Sequence, residues 1–278
     1  MKTTCKWMFA AILLCGLTVS SCNKDPQPTA TPDPEPTTQT VRAGMVGTGV
    51  SFYDSVTYSY EYDAEYRIVR SEAHATNQDY VIRDLVFTYS DGHISVIGTD
   101  DNCPVNIVCD LDDEGRITHF ERTSILPDST TIITNVNYTY DAEGHLASEF
   151  ILSNDSESGT TSNYIWEGDE LKTCSSESGI ITIDYEASDV PAQAQFSNMS
   201  YDIELAVLCT QGCFGKLPAH MPAKRTLTTG IPIPGMPLFI ETTNYTYTID
   251  AEGRLATSTE IREGYEDSAF YIYNWEER

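Results

Sequence analysis

The chain has 278 residues, with 16 Lys and Arg against 42 Asp and Glu, and a formal net charge of −26. At 40% hydrophobic and 10% aromatic it has the material for a packed core, which a disordered acidic tail lacks. The acidic balance excludes a phosphate-binding surface and a polybasic membrane patch, so no nucleic-acid partner is expected.

At the N-terminus Lys2 and Lys6 form a basic region, and residues 7–17 are apolar over only about half the length a spanning helix requires. Val19-Ser20-Ser21-Cys22 follows and resembles a bacterial lipobox. The resemblance implies a lipoprotein signal peptide over 1–21 and a lipidated Cys22 that fixes the protein to the outer membrane. The competing reading is an ordinary signal peptide that happens to be cut near a Cys. Each buried CH₂ of a lipid chain contributes about 0.8 kcal/mol, so a multi-chain anchor holds firmly.

Residues 22–44 read as the lipidated Cys and a linker, with Pro26, Pro28, Pro32, Pro34 and Pro36 interleaved with Thr. Such a stretch is extended and spans roughly 70 Å at about 3.1 Å per residue. Lys24-Asp25 resembles the surface-export signal of gut-anaerobe lipoproteins, with one acid where several are usual. Cell-surface and periplasmic display are both consistent with it.

Residues 45–278 read as a single domain built on one repeated hairpin. The segments are Tyr58–Ile68, Phe87–Ile94, Asp112–Ile117, Val136–Leu146 and Tyr245–Leu255, with a degenerate copy at Tyr164–Leu171. Before each turn, aromatic residues alternate with Thr, Ser or Asn, the period of a strand with one buried face. Asp-x-x-Gly then suits a type I turn closed by a bulge, Asp capping the turn and Gly taking the left-handed position. Turn anchors at 66, 92, 115, 144 and 168 recur every 23–29 residues, one hairpin per step. Tyr66 stands where Gly is expected, so that turn is either strained by about 1–2 kcal/mol or built differently.

Residues 201–214 are expected to form a helix, with Leu205, Leu208, Cys209, Gly212 and Cys213 on one stripe, a cap at Ser200 or Asp202 and a stop at Gly215 and Pro218. A Pro/Gly-rich loop over 218–237 contains one short strand at 224–229, and an aromatic strand, 270–275, closes the chain. The expected fold class is all-β: a curved or barrel-like antiparallel meander of about 13 strands with one late helix covering a face or plugging an end.

Tyr-x-Tyr-Asp-x-x-Gly-Arg-Leu resembles the YD (RHS-type) repeat. With the lipobox and the late helix running into Phe214-Gly215-Lys216-Leu217-Pro218, the chain resembles a gut-anaerobe lipoprotein family of unknown function with a porin-like fold. That resemblance implies a fold and an envelope location, and no catalytic residues. A pore is a separate matter. The strands carry Ser, Thr and acids opposite their aromatics, and the chain ends Glu276-Glu277-Arg278, where a membrane barrel usually ends on an aromatic residue.

Candidate chemistry is sparse. His93 and His145 occupy the position that Arg116 and Arg254 fill in sister repeats, and no nucleophile elbow, zinc-protease, phosphate-loop or Cys-x-x-Cys motif is present. The protein is therefore expected not to be an enzyme and to need no cofactor. Cys103, Cys109, Cys174, Cys209 and Cys213 are either buried thiols or include one helix-to-sheet disulfide; a zinc site on Cys209, Cys213 and His220 is the weaker alternative. Asp110, Asp112, Glu114 and Glu121 fall at ligand spacing for a calcium loop, calcium being the one metal considered. The same residues also read as an ordinary hairpin turn. Tyr271, Tyr273 and Trp275 are candidate ligand-facing aromatics. Ser129, Ser55 and Ser268 resemble Asp-Ser acceptors for O-glycosylation, Ser129 being favoured by its loop position. The function expected is binding or scaffolding at the cell envelope, with a glycan or an envelope protein as partner. The alternatives are surface glycan binding, and carriage of a small apolar ligand inside the barrel.

Overall fold

The computed structural model describes residues 39–50, 53–75, 80–186, 188–192, 205–229, 238–265 and 268–278. Cys22, the signal peptide and most of the linker lie outside them.

The strands are β1 (Thr40–Val50), β2 (Tyr53–Tyr62), β3 (Ile68–Ala75), β4 (Tyr80–Ser90), β5 (His93–Asp100), β6 (Cys103–Leu111), β7 (Ile117–Ile125) and β8 (Thr131–Tyr140). They continue as β9 (Leu146–Ser153), β10 (Thr160–Glu167), β11 (Glu170–Ser176), β12 (Gly179–Asp184), β13 (Lys224–Thr229), β14 (Phe239–Ile249), β15 (Leu255–Arg262) and β16 (Ser268–Glu277). Each pairs antiparallel with its chain neighbours, and β1 pairs with β16, giving a closed barrel. The all-β expectation holds; the count of 13 is corrected to 16, and the sheet closes. Strand β1 begins at Thr40, inside the stretch whose composition reads as linker. Closure removes the two unpaired edges that an open meander would expose. The seam is extended by reciprocal bonds between Gln39 and Arg278, both 3.0 Å.

The expected turn anchors all adopt left-handed backbone, with φ from 61° at Tyr66 to 91° at Gly144. The Asp-anchored turns at 63, 112, 141 and 250, the first with Tyr66 in place of Gly, share one construction. The Asp Oδ1 accepts from two turn amides, as Asp112 does from Glu114 (3.0 Å) and Arg116 (2.8 Å), and a bulge follows in the ladder. The turns at Gly92 and Gly168 are instead two-residue hairpin loops. Tyr66 keeps the standard turn and accepts the strained conformation. Its hydroxyl donates to Arg278 O (3.1 Å) and its carbonyl accepts from the Gln211 amide (2.9 Å).

The repeat also explains its own aromatic and basic residues. At four places the last aromatic of a strand donates back to a backbone carbonyl of the hairpin before it: Tyr89 to Ile68 (2.9 Å), Tyr140 to Ile117 (2.7 Å), Trp166 Nε1 to Leu146 (2.8 Å) and Trp275 Nε1 to Leu255 (2.8 Å). The basic residue after the turn reaches forward onto the next aromatic. Arg67 lies 4.6 Å from the Tyr89 ring, Arg116 4.5 Å from Tyr140, and His145 stacks on Trp166 at 4.4 Å. Across the seam Arg278 lies over Tyr62 (5.5 Å). His145 thus does the work of Arg in its repeat.

All the Asp-anchored turns, the two ends of the closed sheet at Gln39 and Arg278, and the described part of the connection from β12 to β13 sit at one end of the barrel. That connection carries a 3₁₀-helix, Ala206–Gln211, whose Leu208 and Cys209, with Leu205 just before it, are buried in the barrel core. The expected α-helix over 201–214 is corrected: residues 201–204 lie outside the described set, and Gly212 takes φ 78° and ends the helix after 211. The segment plugs the end. Ile117 N donates to Cys213 O (2.7 Å), Lys216 N to Gly144 O (3.0 Å) and Ala219 N to Asp169 O (2.8 Å), tying the plug to three separate hairpins. Phe120, Phe214, Ile68, Ile94 and Ile117 pack around it. Burying such side chains contributes about 1.5–3 kcal/mol each.

Candidate functional site

A cavity of about 760 Å³ opens at the plugged end, between the 3₁₀-helix and the strands of the seam. Its size suits a small organic ligand. Tyr62, Tyr89, Trp275, Ile94, Leu111 and Leu217 supply aromatic and apolar wall, and Arg42, Arg67, Glu65 and Gln211 supply polar groups. Most of the polar groups are already engaged. Arg67 pairs with Asp63 (2.7 Å) and Glu65 (3.3 Å), and Gln211 bridges Ile68 N, Tyr89 OH and Tyr66 O. Burial pushes the Tyr62 phenol up to about 12, and its hydroxyl donates to Arg42 O (2.6 Å).

Arg42 differs. It is 9% exposed, its Nε has no hydrogen-bond partner, and its guanidinium stands 5.1 Å from the Tyr60 ring. Sequence reasoning missed it because it falls in the stretch assigned to the linker. Only the β1–β16 register, which sets Arg42 opposite Trp275, turns it into the barrel.

Farther up the barrel the inward positions are polar. Arg83 pairs with Asp100 (2.8 Å) and Arg262 with Glu241 (3.5 Å). Glu260, opposite Tyr245, has its carboxyl held above the usual range by burial, with Arg225 and Arg262 pulling the other way. Glu149 is 2% exposed; burial raises its carboxyl, while Ser162 and Tyr164 hydroxyls bond to it. The open half of the lumen is therefore not the apolar space an apolar carrier needs.

The aromatics expected to face a ligand alternate with exposed Ile272 and point into the barrel. Trp275 lines the cavity, whereas Tyr273 bonds Ser258 (2.9 Å) and Tyr271 is half-buried farther along the wall. An outward stacking platform is not formed by these three.

The four acids of the calcium loop are not brought together. Asp110 lies on the outer wall between His93 (3.0 Å) and His119 (3.2 Å). Asp112 caps its turn and Glu114 pairs with Arg116 (3.0 Å), while Glu121 sits up β7 opposite Val108. Burial would raise the Asp112 carboxyl, but hydrogen bonds from Arg116 and Glu114 outweigh it and hold it low. Among the described residues no group of three or more His, Cys, Asp or Glu is placed to hold a metal. Cys103, Cys109, Cys174, Cys209 and Cys213 form no disulfide among the described residues, and His220 pairs with Glu170 (2.6 Å) instead of joining Cys209 and Cys213. Ser129 is exposed in the β7–β8 turn with φ 69°, Ser268 is exposed at the start of β16, and Ser55 is half-buried on β2.

The outer wall carries Arg70 paired with Asp84 (3.0 Å), Glu72, Asp110, His119 and Glu121 amid Thr and Asn, together with exposed apolar residues such as Val86, Ile97, Val108, Phe150 and Ile165, of which Val86 and Ile97 are paired across β4 and β5. Its polar groups interrupt the continuous apolar band of a lipid-facing barrel.

A closed antiparallel barrel with an inserted plug is a porin-like architecture. Residues 53–257 match the family described as a domain of unknown function (DUF4595) with porin-like fold, and the chain belongs to that family. A porin-like protein from Bacteroides uniformis ATCC 8492 is similar in structure, with a TM-score of 0.59 and 17% identity over 84% of this chain and 98% of that one. A porin-like protein from Bacteroides vulgatus ATCC 8482 has a TM-score of 0.61 and 12% identity over 85% and 98%. A search of the curated proteins finds no match.

Proposed function

We propose that the protein is a non-enzymatic binding lipoprotein of the outer membrane, held by Cys22 on its Pro/Thr linker, with a small ligand seated in the cavity at the plugged end. The observation that carries this is the 760 Å³ cavity in a barrel whose mouth is blocked by its own chain. A plugged barrel with a charged outer wall suits binding better than conduction. The lipobox-like Val19-Ser20-Ser21-Cys22 supports the anchor. Ser129, exposed and at a turn tip, is the proposed O-glycan acceptor, and intact mass of native protein measures it.

The test is fractionation. Wild type is expected in the membrane fraction and Cys22→Ala in the soluble fraction. A Cys22→Ala protein that remains with membranes after a salt wash overturns the anchor.

A further inference from the structure

Arg42 sits at a break in β1. The ladder to β16 shifts register between Arg42 and Gly44, and the consecutive residues Val41 and Arg42 are both buried. In a regular strand one of two consecutive side chains faces out, so the bulge is what re-aims this one. Among the described residues its guanidinium makes no ion pair with a carboxylate and its buried Nε has no hydrogen-bond partner; it faces the Tyr60 ring (5.1 Å), with Tyr62, Tyr273 and Cys209, all neutral groups, also near it. Arg67, Arg70, Arg116 and Arg254 are served by Asp63, Asp84, Asp112 and Asp250; Arg122 and Arg225 also have an unpartnered Nε, but Arg225 bonds the Tyr245 side chain and Arg122 has a partner of its own. A mostly buried cation that lines a cavity with no carboxylate partner is costly, and a strand bent to place one there indicates that the acceptor comes from elsewhere.

The geometry points to a small organic carboxylate as the ligand of the cavity, its anion on Arg42 and its planar or apolar body against Trp275, Tyr89 and Leu217. This rests on the proposed binding role of the same cavity. The guanidinium fork matches a carboxylate with two parallel bonds, which a neutral amide cannot accept. Glu65, the carboxylate in the wall, is held by Arg67 (3.3 Å), so it does not serve Arg42.

The test uses the full chain in mild detergent, melted with benzoate and with benzamide, which share a body and differ in charge. Benzoate at about a hundred times its Kd is expected to raise Tm by roughly 5–10 °C. Benzamide is expected to leave Tm unchanged. Arg42→Met should fold and lose the benzoate shift, and Arg42→Lys should weaken binding at least about tenfold. If Arg42→Met does not fold, Arg42→Lys supplies the comparison. Equal shifts from both compounds, or a benzoate shift that survives at Arg42→Met, would overturn the carboxylate assignment and leave the cavity as a ligand site. No shift from either compound on folded wild type overturns both.

Discussion

Two turns of the same construction, one with Gly and one without, allow the left-handed cost to be measured in both directions. At Gly253 φ is 81° and an added Cβ would meet nothing within 4 Å. Gly253→Ala therefore isolates the backbone term, about 1–2 kcal/mol. For a domain of this size that is a fall in Tm of roughly 2–8 °C. Gly253→Val should cost more, because branching at Cβ narrows the allowed backbone further. Tyr66 stands at φ 61° in the equivalent turn, so Tyr66→Gly recovers a similar backbone term. It also removes the hydroxyl bond to Arg278 O at the seam (3.1 Å), worth about 0.5–1.5 kcal/mol. The two nearly cancel, and Tyr66→Phe separates them by deleting the hydroxyl alone. Circular-dichroism melts and urea titrations of the four variants read the result. Unchanged stability of both Gly253 variants would refute the turn assignment.

The link between repeats predicts coupling. Arg116→Met and Tyr140→Phe should each destabilise by about 1 kcal/mol, and Arg116→Met with Tyr140→Leu should show about 0.5–1 kcal/mol of interaction energy in a double-mutant cycle, since Arg116 stacks 4.5 Å from the Tyr140 ring; strict additivity would remove the link. The Glu149 carboxyl is raised on folding, so the folded state holds its proton more tightly and stability declines as pH rises from the unfolded carboxylate range through the folded value. Glu149→Gln should melt higher than wild type at pH 8, with the gap closing toward pH 4; a constant gap across that range contradicts the raised carboxyl. The turn Asp residues act oppositely: Asp63, Asp112, Asp141 and Asp250 are held low, so their contribution is present above the unfolded range and is lost as pH falls through the folded values. Asp112→Asn should remove part of the wild-type stability loss below about pH 4, read as the slope of Tm against pH.

The hairpins were legible because each carries its instructions locally. Asp and Gly at fixed spacing set turns 112–115, 141–144 and 250–253, and even Tyr66 obeys the pattern against its own preference. Strand β13 was readable at its full length, 224–229, from flanking Pro and Gly. Strand β1 was hidden because Gly44, Gly47 and Gly49 break its alternation and a Pro/Thr stretch precedes it; Gly44 is required there, since a Cβ would lie 2.5 Å from Tyr58 O. With β1 hidden, closure onto β16 was hidden too, and so was Arg42. Period-2 patterning tells that Tyr271, Tyr273 and Trp275 share a face, but it cannot say which face is inside a closed sheet. The plug was visible as an apolar stripe, while its 3₁₀ form depends on Gly212 and on backbone bonds to distant hairpins such as Ile117 to Cys213.

The proposed function requires a barrel whose outer wall meets water while a lipid at Cys22 meets the membrane. Sedimentation and far-UV circular dichroism of purified Cys22→Ala in detergent-free buffer test it directly. A monodisperse, fully β-folded protein is the predicted result. A protein that aggregates in buffer and regains its sheet only in micelles would mean that the outer wall faces lipid.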